Sequence, residues 1–235
     1  MKVQRRISAK ILRRVFEILD DALGPQHWWP GETPFEVAVG AILTQSTAWS
    51  NVEKAIGNLR RAGALSPKAL NRLSEGRLAQ LIRPSGYFRQ KARKLKNFLR
   101  FLPRNGSLQK IMNMPAQELR RELLEVKGIG PETADSIVLY AAGRPVFVID
   151  AYTRRIFSRH GWVDERISYD DFQALFHRNL PENTAMFNQY HALLVRTGKD
   201  YCTRTAPRCS ACPLESLLPV PWPDFQVAEK RPIKH

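Results

Sequence analysis

Three groups of residues in this chain stand where they could do chemistry. A carboxylate closes an apolar run: Val146-Phe147-Val148-Ile149-Asp150 leads into Ala151-Tyr152-Thr153-Arg154-Arg155-Ile156. An Asp in that place caps the helix that follows. The same carboxylate, kept ionised, could stabilise positive charge on a reacting substrate or activate water. The second group is a turn, Leu123-Leu124-Glu125-Val126-Lys127-Gly128-Ile129-Gly130-Pro131-Glu132-Thr133-Ala134-Asp135, which reads as helix end, Gly-Ile-Gly and helix start. Glycines admit positive φ and let backbone N–H groups approach a phosphate, and the new helix N-terminus adds favourable partial charge. Taken alone, Gly-x-Gly is first of all an ordinary αα turn capped by glycine. The third group is the chain's three cysteines, Cys202, Cys209 and Cys212. An odd, clustered set of thiols reads as metal binding before disulfides.

The charge of the chain shifts the reading of the turn. Lys and Arg number 37 against 22 Asp and Glu, a formal charge of +15 over 235 residues. An excess of that size points to a polyanionic partner. An anionic membrane would need a strongly apolar amphipathic face, which is missing, so nucleic acid is the better fit. There is no run of about 18 apolar residues, and the start Met-Lys-Val-Gln-Arg-Arg lacks the apolar stretch of a secretory signal. A soluble, cytoplasmic protein is expected. With this basicity the glycine turn becomes a helix-hairpin-helix grip on the DNA backbone.

The elements that must position these groups are helical. Ile7, Ile11, Leu12, Val15, Phe16, Leu19 and Leu23 recur at three- and four-residue spacing, and Gly24-Pro25 stops that helix. Similar stripes cover 34–44, 49–60, 86–102, 132–142, 151–159, 169–178 and 184–197. The only β-like run, Val146–Ile149, is too short and isolated to build a sheet. The fold class is therefore all-α, with no internal repeat. The tail from Pro219, with Pro221, Pro223 and Pro232, is expected to be a surface strap.

The pairing of a hairpin with a downstream Asp resembles the helix-hairpin-helix DNA glycosylase superfamily, endonuclease III among its members. Gly198-Lys199-Asp200-Tyr201-Cys202 and Pro207-Arg208-Cys209-Ser210-Ala211-Cys212-Pro213-Leu214-Glu215 are similar to the iron-sulfur loop of endonuclease III, whose ligands are spaced C-x6-C-x2-C-x5-C. Three positions match and the fourth is Leu218. Cluster iron normally takes four thiolates, which leaves open an intact 4Fe-4S cluster, a labile iron, a substitute ligand or a cluster-free loop. Zinc is less supported, because the sequence offers no fourth thiol or His close by. The resemblance extends from about Pro25 to Pro219.

The resemblance also implies roles for other residues. Ile42-Leu43-Thr44-Gln45-Ser46-Thr47 is similar to the segment whose Gln probes the duplex, so Gln45 is expected to fill the gap left by an extruded base. Ser85-Gly86-Tyr87-Phe88-Arg89-Gln90-Lys91-Ala92 resembles the loop that inserts a side chain, making Tyr87 the wedge. Read blandly, Gln45 is a polar helix-end residue and Tyr87 a half-buried aromatic. The superfamily's imine-forming Lys stands two residues beyond the second hairpin glycine, and this chain has Glu132 there. A carboxylate cannot form an imine, so hydrolytic base excision without lysine-dependent strand cleavage is implied. Lys127, Gly128, Gly130 and Thr133 would contact DNA. The segment Arg83 to Lys96, with Arg89, Lys91, Arg93 and Lys94, holds no acidic residue and is expected along phosphates, with Arg154, Arg155 and Arg159 extending it.

Within the superfamily, Trp28-Trp29-Pro30, Arg83-Pro84-Ser85-Gly86 and Glu132-Thr133-Ala134-Asp135 look most like the endonuclease III-like 3-methyladenine DNA glycosylases. Trp49 matches that class's aromatic after its Gln-x-Thr segment. Trp28, Trp29, Pro30 and Trp49 then form a base pocket, since 3-methyladenine and 7-methylguanine are cationic rings that stack on Trp faces. Each Trp could equally be core. Lys199 matches a late-helix Lys that reaches the active site in that class, or else binds phosphate. Asp150 is the expected catalytic carboxylate, and Glu132 at the hairpin is the second catalytic candidate. Two helical lobes are expected, residues 25–140 with hairpin and wedges, and 1–24 plus 141–235, with a cleft between them. The expected substrate is double-stranded DNA with an alkylated purine, acted on by a monomer. The rival readings are a glycosylase for oxidised, deaminated or mismatched bases and a noncatalytic DNA-binding module.

Overall fold

The computed structural model describes residues 7–104 and 106–218. In chain order its helices are α1 (Ala9–Leu23), α2 (Pro34–Leu43), α3 (Trp49–Arg61), α4 (Pro67–Arg72), α5 (Glu75–Leu81), α6 (Phe88–Arg104), α7 (Leu108–Met112), α8 (Ala116–Leu124), α9 (Pro131–Ser136), α10 (Ala151–Arg159), α11 (Tyr169–Asn179) and α12 (Thr184–Asp200). Among the described residues there is no strand, and the fold is all-α. The apolar run Val146–Ile149 is buried and extended but joins no ladder. None of the helices searched is long and apolar enough to cross a membrane. The proline-rich tail from Pro219 lies outside the described residues.

The chain divides into two compact units, Trp29–Val148 and Met1–Trp28 with Ile149–His235. In the first unit, α2 is the central helix. Thr33 caps it by accepting from the Glu36 N–H at 3.1 Å, Pro34 opens it, and every residue from Phe35 to Leu43 is buried. Helix α6 lays Leu95, Phe98 and Leu102 into the same core. The short helices α4, α5, α7 and α8 bring only one or two buried side chains each. Too few apolar positions mark them for periodicity to find.

In the second unit α1 presents Leu12, Val15 and Leu19, and α12 packs against it and α10. Polar contacts fix the register: the Tyr190 hydroxyl donates to the Leu12 carbonyl at 2.9 Å, and the Gln189 amide to the Asp20 carboxylate at 2.7 Å. Phe157, Phe172, Phe176 and Tyr190 form the aromatic centre. Gly198 of α12 has to be glycine, because a Cβ there would stand 2.4 Å from the Tyr152 ring.

Candidate functional site

The hairpin joins α8 to α9. Gly128 has φ +101°, and a Cβ on it would meet the Lys94 side chain at 2.5 Å, so glycine is required on two counts. Gly130, by contrast, is extended (φ −99°) and serves as the cap of α9 without a side chain. Positive φ is thus a demand of the first glycine only. Pro131 follows at the first helical position, and the exposed Glu132 sits in the first turn. The Gln45 amide donates to the Gly128 carbonyl at 3.1 Å and to the Thr133 hydroxyl at 2.9 Å, and its oxygen accepts a short hydrogen bond from Lys94. Gln45 therefore braces the hairpin, and the buried Thr133 turns its hydroxyl inward. Beneath this, the Arg120 guanidinium meets the fully buried Asp135 at 2.8 Å. Asp135 belongs to the hairpin motif in the sequence, but its partner Arg120 does not stand out there.

Among the described residues, the non-glycine residues with positive φ are His27 (+49°), Ser46 (+53°) and Tyr87 (+43°). They lie beside Trp28, beside Gln45 and at the expected wedge. A non-glycine residue held in this region costs about 1 to 2 kcal/mol, and such strain collects at functional loops. Tyr87 is also 66% exposed, and among the described residues it is the only large hydrophobic side chain so presented.

The basic segment is sorted by helical phase. Lys91 shares the buried stripe with Leu95, Phe98 and Leu102, is 2% exposed and donates to the Leu43 and Ser85 carbonyls at 2.9 and 2.5 Å. Burial first, then the charge of Lys94, lowers its pKa to about 8. The expectation of a phosphate contact at Lys91 is therefore corrected: it ties the loop at Ser85 to the end of α2. Lys96 likewise donates to the carbonyls of Asn71 and Leu73 at 2.9 and 2.6 Å. Arg83, Arg89 and Arg93 are exposed, as is Lys127 ahead of the turn.

The expected base pocket divides between the units. Trp29, Pro30 and Trp49 line a cavity with Glu36, Gly40, Glu53, Ile56 and Arg60, with ≈ 190 Å³ of free space. The Trp29 and Trp49 rings meet edge to face at 4.9 Å, and Tyr140 lies 5.1 Å from Trp29. The Trp49 indole N–H donates to the Glu53 carboxylate at 2.9 Å, and Arg60 pairs with the buried Glu36 at 2.8 Å. Trp28 belongs to the other unit, where the Lys199 ammonium stands 5.7 Å from its ring centroid.

Asp150 caps α10, one oxygen accepting from the Thr153 N–H at 2.7 Å. Its other oxygen lies 3.6 Å from Nε2 of His191, and both side chains are nearly buried. Burial pushes the carboxyl pKa up, but the hydrogen bond and charge from His191 and the Thr153 N–H outweigh it and hold Asp150 below the usual carboxylate range. A cap that is also a buried, ionised carboxylate is equipped for more than capping. His191 did not emerge from the sequence, yet it lies on the buried stripe Phe187, Tyr190, His191 and Leu194 of α12, where a titratable residue is unusual.

Cys202, Cys209 and Cys212 line one apolar cavity together with Ile156, His160 and Leu218. Burial raises the thiol pKa values, Cys209 to about 12 with the other two sulfurs adding to the shift, and Cys212 to about 11. Among the described residues no three His, Cys, Asp or Glu side chains converge closely enough for a single ion. The loop is held by arginines. Arg155 donates to the Cys202 and Gly198 carbonyls at 2.7 and 3.0 Å, and Arg159 donates to Thr203 and Arg204 carbonyls at 2.7 and 2.9 Å and reaches the Cys202 sulfur at 3.5 Å. Arg154 donates to the Ile167 carbonyl at 2.6 Å. These three were expected on a phosphate surface; they are half-buried, and their guanidinium groups are bonded to carbonyls of the chain.

Residues 39–182 match the HhH-GPD superfamily base excision DNA repair proteins, and the chain belongs to that family. It is a DNA repair glycosylase of the base excision class, with DNA as its partner. A Methanocaldococcus jannaschii protein provisionally named a DNA repair glycosylase is 43% identical over 211 residues, covering 88% of this chain and 96% of that one. The structure of an H. pylori 3-methyladenine DNA glycosylase bound to 1,N6-ethenoadenine is 27% identical with a TM-score of 0.70, covering 82% and 98%. A non-covalent endonuclease III–DNA complex superposes with a TM-score of 0.78 at 21% identity over 96% and 100%, a likeness of fold.

Proposed function

We propose that this glycosylase is monofunctional and removes alkylated purines from duplex DNA. The observation that carries the reading is the cavity framed by Trp29 and Trp49 and edged by the Glu53 and Glu36 carboxylates. A purine methylated at N3 or N7 is a flat cation, and Trp faces attract such a ring by about 1 to 2 kcal/mol each when water is excluded. The Glu53 carboxylate, which accepts from the Trp49 indole, favours the same charge, while Glu36 is neutralised by Arg60. The relative bound to 1,N6-ethenoadenine, a modified purine, points the same way.

In this reading Tyr87 enters the stack as the target nucleotide leaves it, and the hairpin N–H groups with Lys127 and Arg89 hold phosphates. The C1′–N bond breaks with its electron pair going to the base, which departs neutral because it began as a cation. The ionised Asp150 offsets the positive charge left on the sugar and accepts a proton from the water whose oxygen bonds to C1′. Since the carboxylate is the working form and its pKa is depressed, excision falls only as pH drops through that lowered value. Replacing His191 by Asn moves this acid limb to higher pH. Lys199, beside the Trp28 ring, is assigned to the base, and Glu132, at the place of the imine-forming lysine, cannot form an imine. The protein acts as a cytoplasmic monomer. Cys202, Cys209 and Cys212 would hold a 4Fe-4S cluster, which supplies a rigid anchor for the loop after α12. The donor set fits such a group at three corners, and Arg159 already donates toward one sulfur.

The retained cysteine loop favours a second reading, excision of oxidised, deaminated or mismatched bases. Mass spectrometry of bases freed from randomly methylated duplex DNA separates the two. The proposal expects 3-methyladenine and 7-methylguanine to be released, with strand breaks only after alkali. Release from oxidised or uracil-containing duplexes alone would overturn the substrate, and breaks without alkali the monofunctional reading.

A further inference from the structure

We infer that His160 is the fourth protein ligand of an iron-sulfur cluster held by Cys202, Cys209 and Cys212, replacing the thiolate that position 218 lacks. The inference rests on the cluster reading above and adds to it a residue more than forty positions before the cysteine loop.

His160 directly follows α10, and its ring is buried with 5% of the residue exposed. It lines the same cavity as the three thiols and Leu218. Leu218 at the fourth corner has no lone pair to give, and among the other side chains lining the cavity Glu215 is exposed and the Thr197 hydroxyl is engaged with the Leu193 carbonyl, whereas His160 is a buried ring. Nδ1 lies 2.7 Å from the Ile156 carbonyl, which requires a proton on Nδ1. In the neutral ring that leaves Nε2 as the electron donor; Nε2 is buried and makes no hydrogen bond of normal geometry, although the Leu214 carbonyl lies beside the ring. A buried polar atom in that state asks for an explanation, and a metal is one. Imidazole ligands commonly donate their second ring nitrogen to a carbonyl, which fixes tautomer and orientation. Trp162 stacks on the ring at 4.3 Å and 25°, holding it further.

Among the described residues, no three donors converge on a single-ion position. Donors spread around a cavity suit a cluster, whose irons each take one protein ligand at a separate corner. A neutral imidazole in place of a thiolate makes the cluster less negative, so its reduction potential is raised.

The experiment uses the full chain, purified without oxygen from iron-replete cells, with iron, zinc and acid-labile sulfide measured per chain. Pulsed EPR of the reduced protein, with natural-abundance and 15N-labelled histidine, reports a nitrogen bound to the cluster. About four irons and four sulfides are expected, with a histidine nitrogen coupling that vanishes in His160→Cys while iron is retained. His160→Ala should lose iron several-fold, and adding Leu218→Cys should restore it. Circular dichroism and melting show whether each variant folds; should His160→Ala unfold, the His160→Cys spectrum decides. A full cluster with no nitrogen coupling, or iron unaffected in folded His160→Ala, overturns the role of His160 and leaves the cluster standing. Zinc without sulfide, or no metal at all, overturns both.

Discussion

Around the hairpin, Gln45, Lys94, Thr133 and the Arg120–Asp135 pair close on one another. Their outer side is left to backbone N–H groups, the exposed Tyr87 and a few surface arginines. Around the cysteine loop the arginines close on carbonyls instead, and three thiols and a buried imidazole ring border a common cavity. The first region satisfies its own polar groups and can meet DNA as it stands. The second keeps donors in reserve, which is the condition of a site built around something else. The difference separates a region whose polar groups are met by the protein itself from one where donor atoms border a cavity.

That contrast can be broken from either side. Arg120→Ala should have the largest effect, because it leaves Asp135 buried without its guanidinium. A loss of about 3 to 5 kcal/mol is expected in chemical denaturation, with DNA binding falling as the hairpin loosens. Arg159→Ala removes charge-assisted bonds to two carbonyls and should cost less, about 1 to 3 kcal/mol. Its mark is faster proteolysis in the segment after α12, with hairpin-dependent DNA affinity kept. Tyr87→Gly should leave the fold as stable or about 1 kcal/mol more so, by relieving a positive φ. Excision under single turnover should nevertheless slow, since the wedge is gone. The smallest effect is electrostatic. Arg89→Ala should reduce the slope of log affinity against log salt by about 1, whereas Lys91→Met should lower the melting temperature and leave that slope unchanged.

Much of this was legible in the sequence. Long amphipathic helices announce themselves by period, the hairpin by its glycines, and Asp150 by its place between an apolar run and a helix. The residues missed share one physical reason. Lys91 lies on the stripe of Leu95, Phe98 and Leu102; His191 on that of Phe187, Tyr190 and Leu194; His160 follows Thr153, Ile156 and Phe157. Read by charge, Lys91 joins a basic run; read by helical phase, it is in the core. A titratable residue in phase with an apolar stripe is the signal that would have found all three. The arginines of α10 were misplaced for a related reason, since sequence shows their charge and not the carbonyls that the following loop brings to them. What no periodicity could supply was the meeting of His160 with thiols from a distant loop.

The central claim is that chemistry resides at Asp150 while affinity resides in the hairpin. Its most direct test compares the native protein with Asp150→Asn on a duplex carrying a single methylated purine, measuring single-turnover base release and equilibrium binding side by side. Loss of release by at least about 10²-fold to 10³-fold, with dissociation constants within a few-fold, is the predicted result. Release at the native rate by Asp150→Asn would contradict the account.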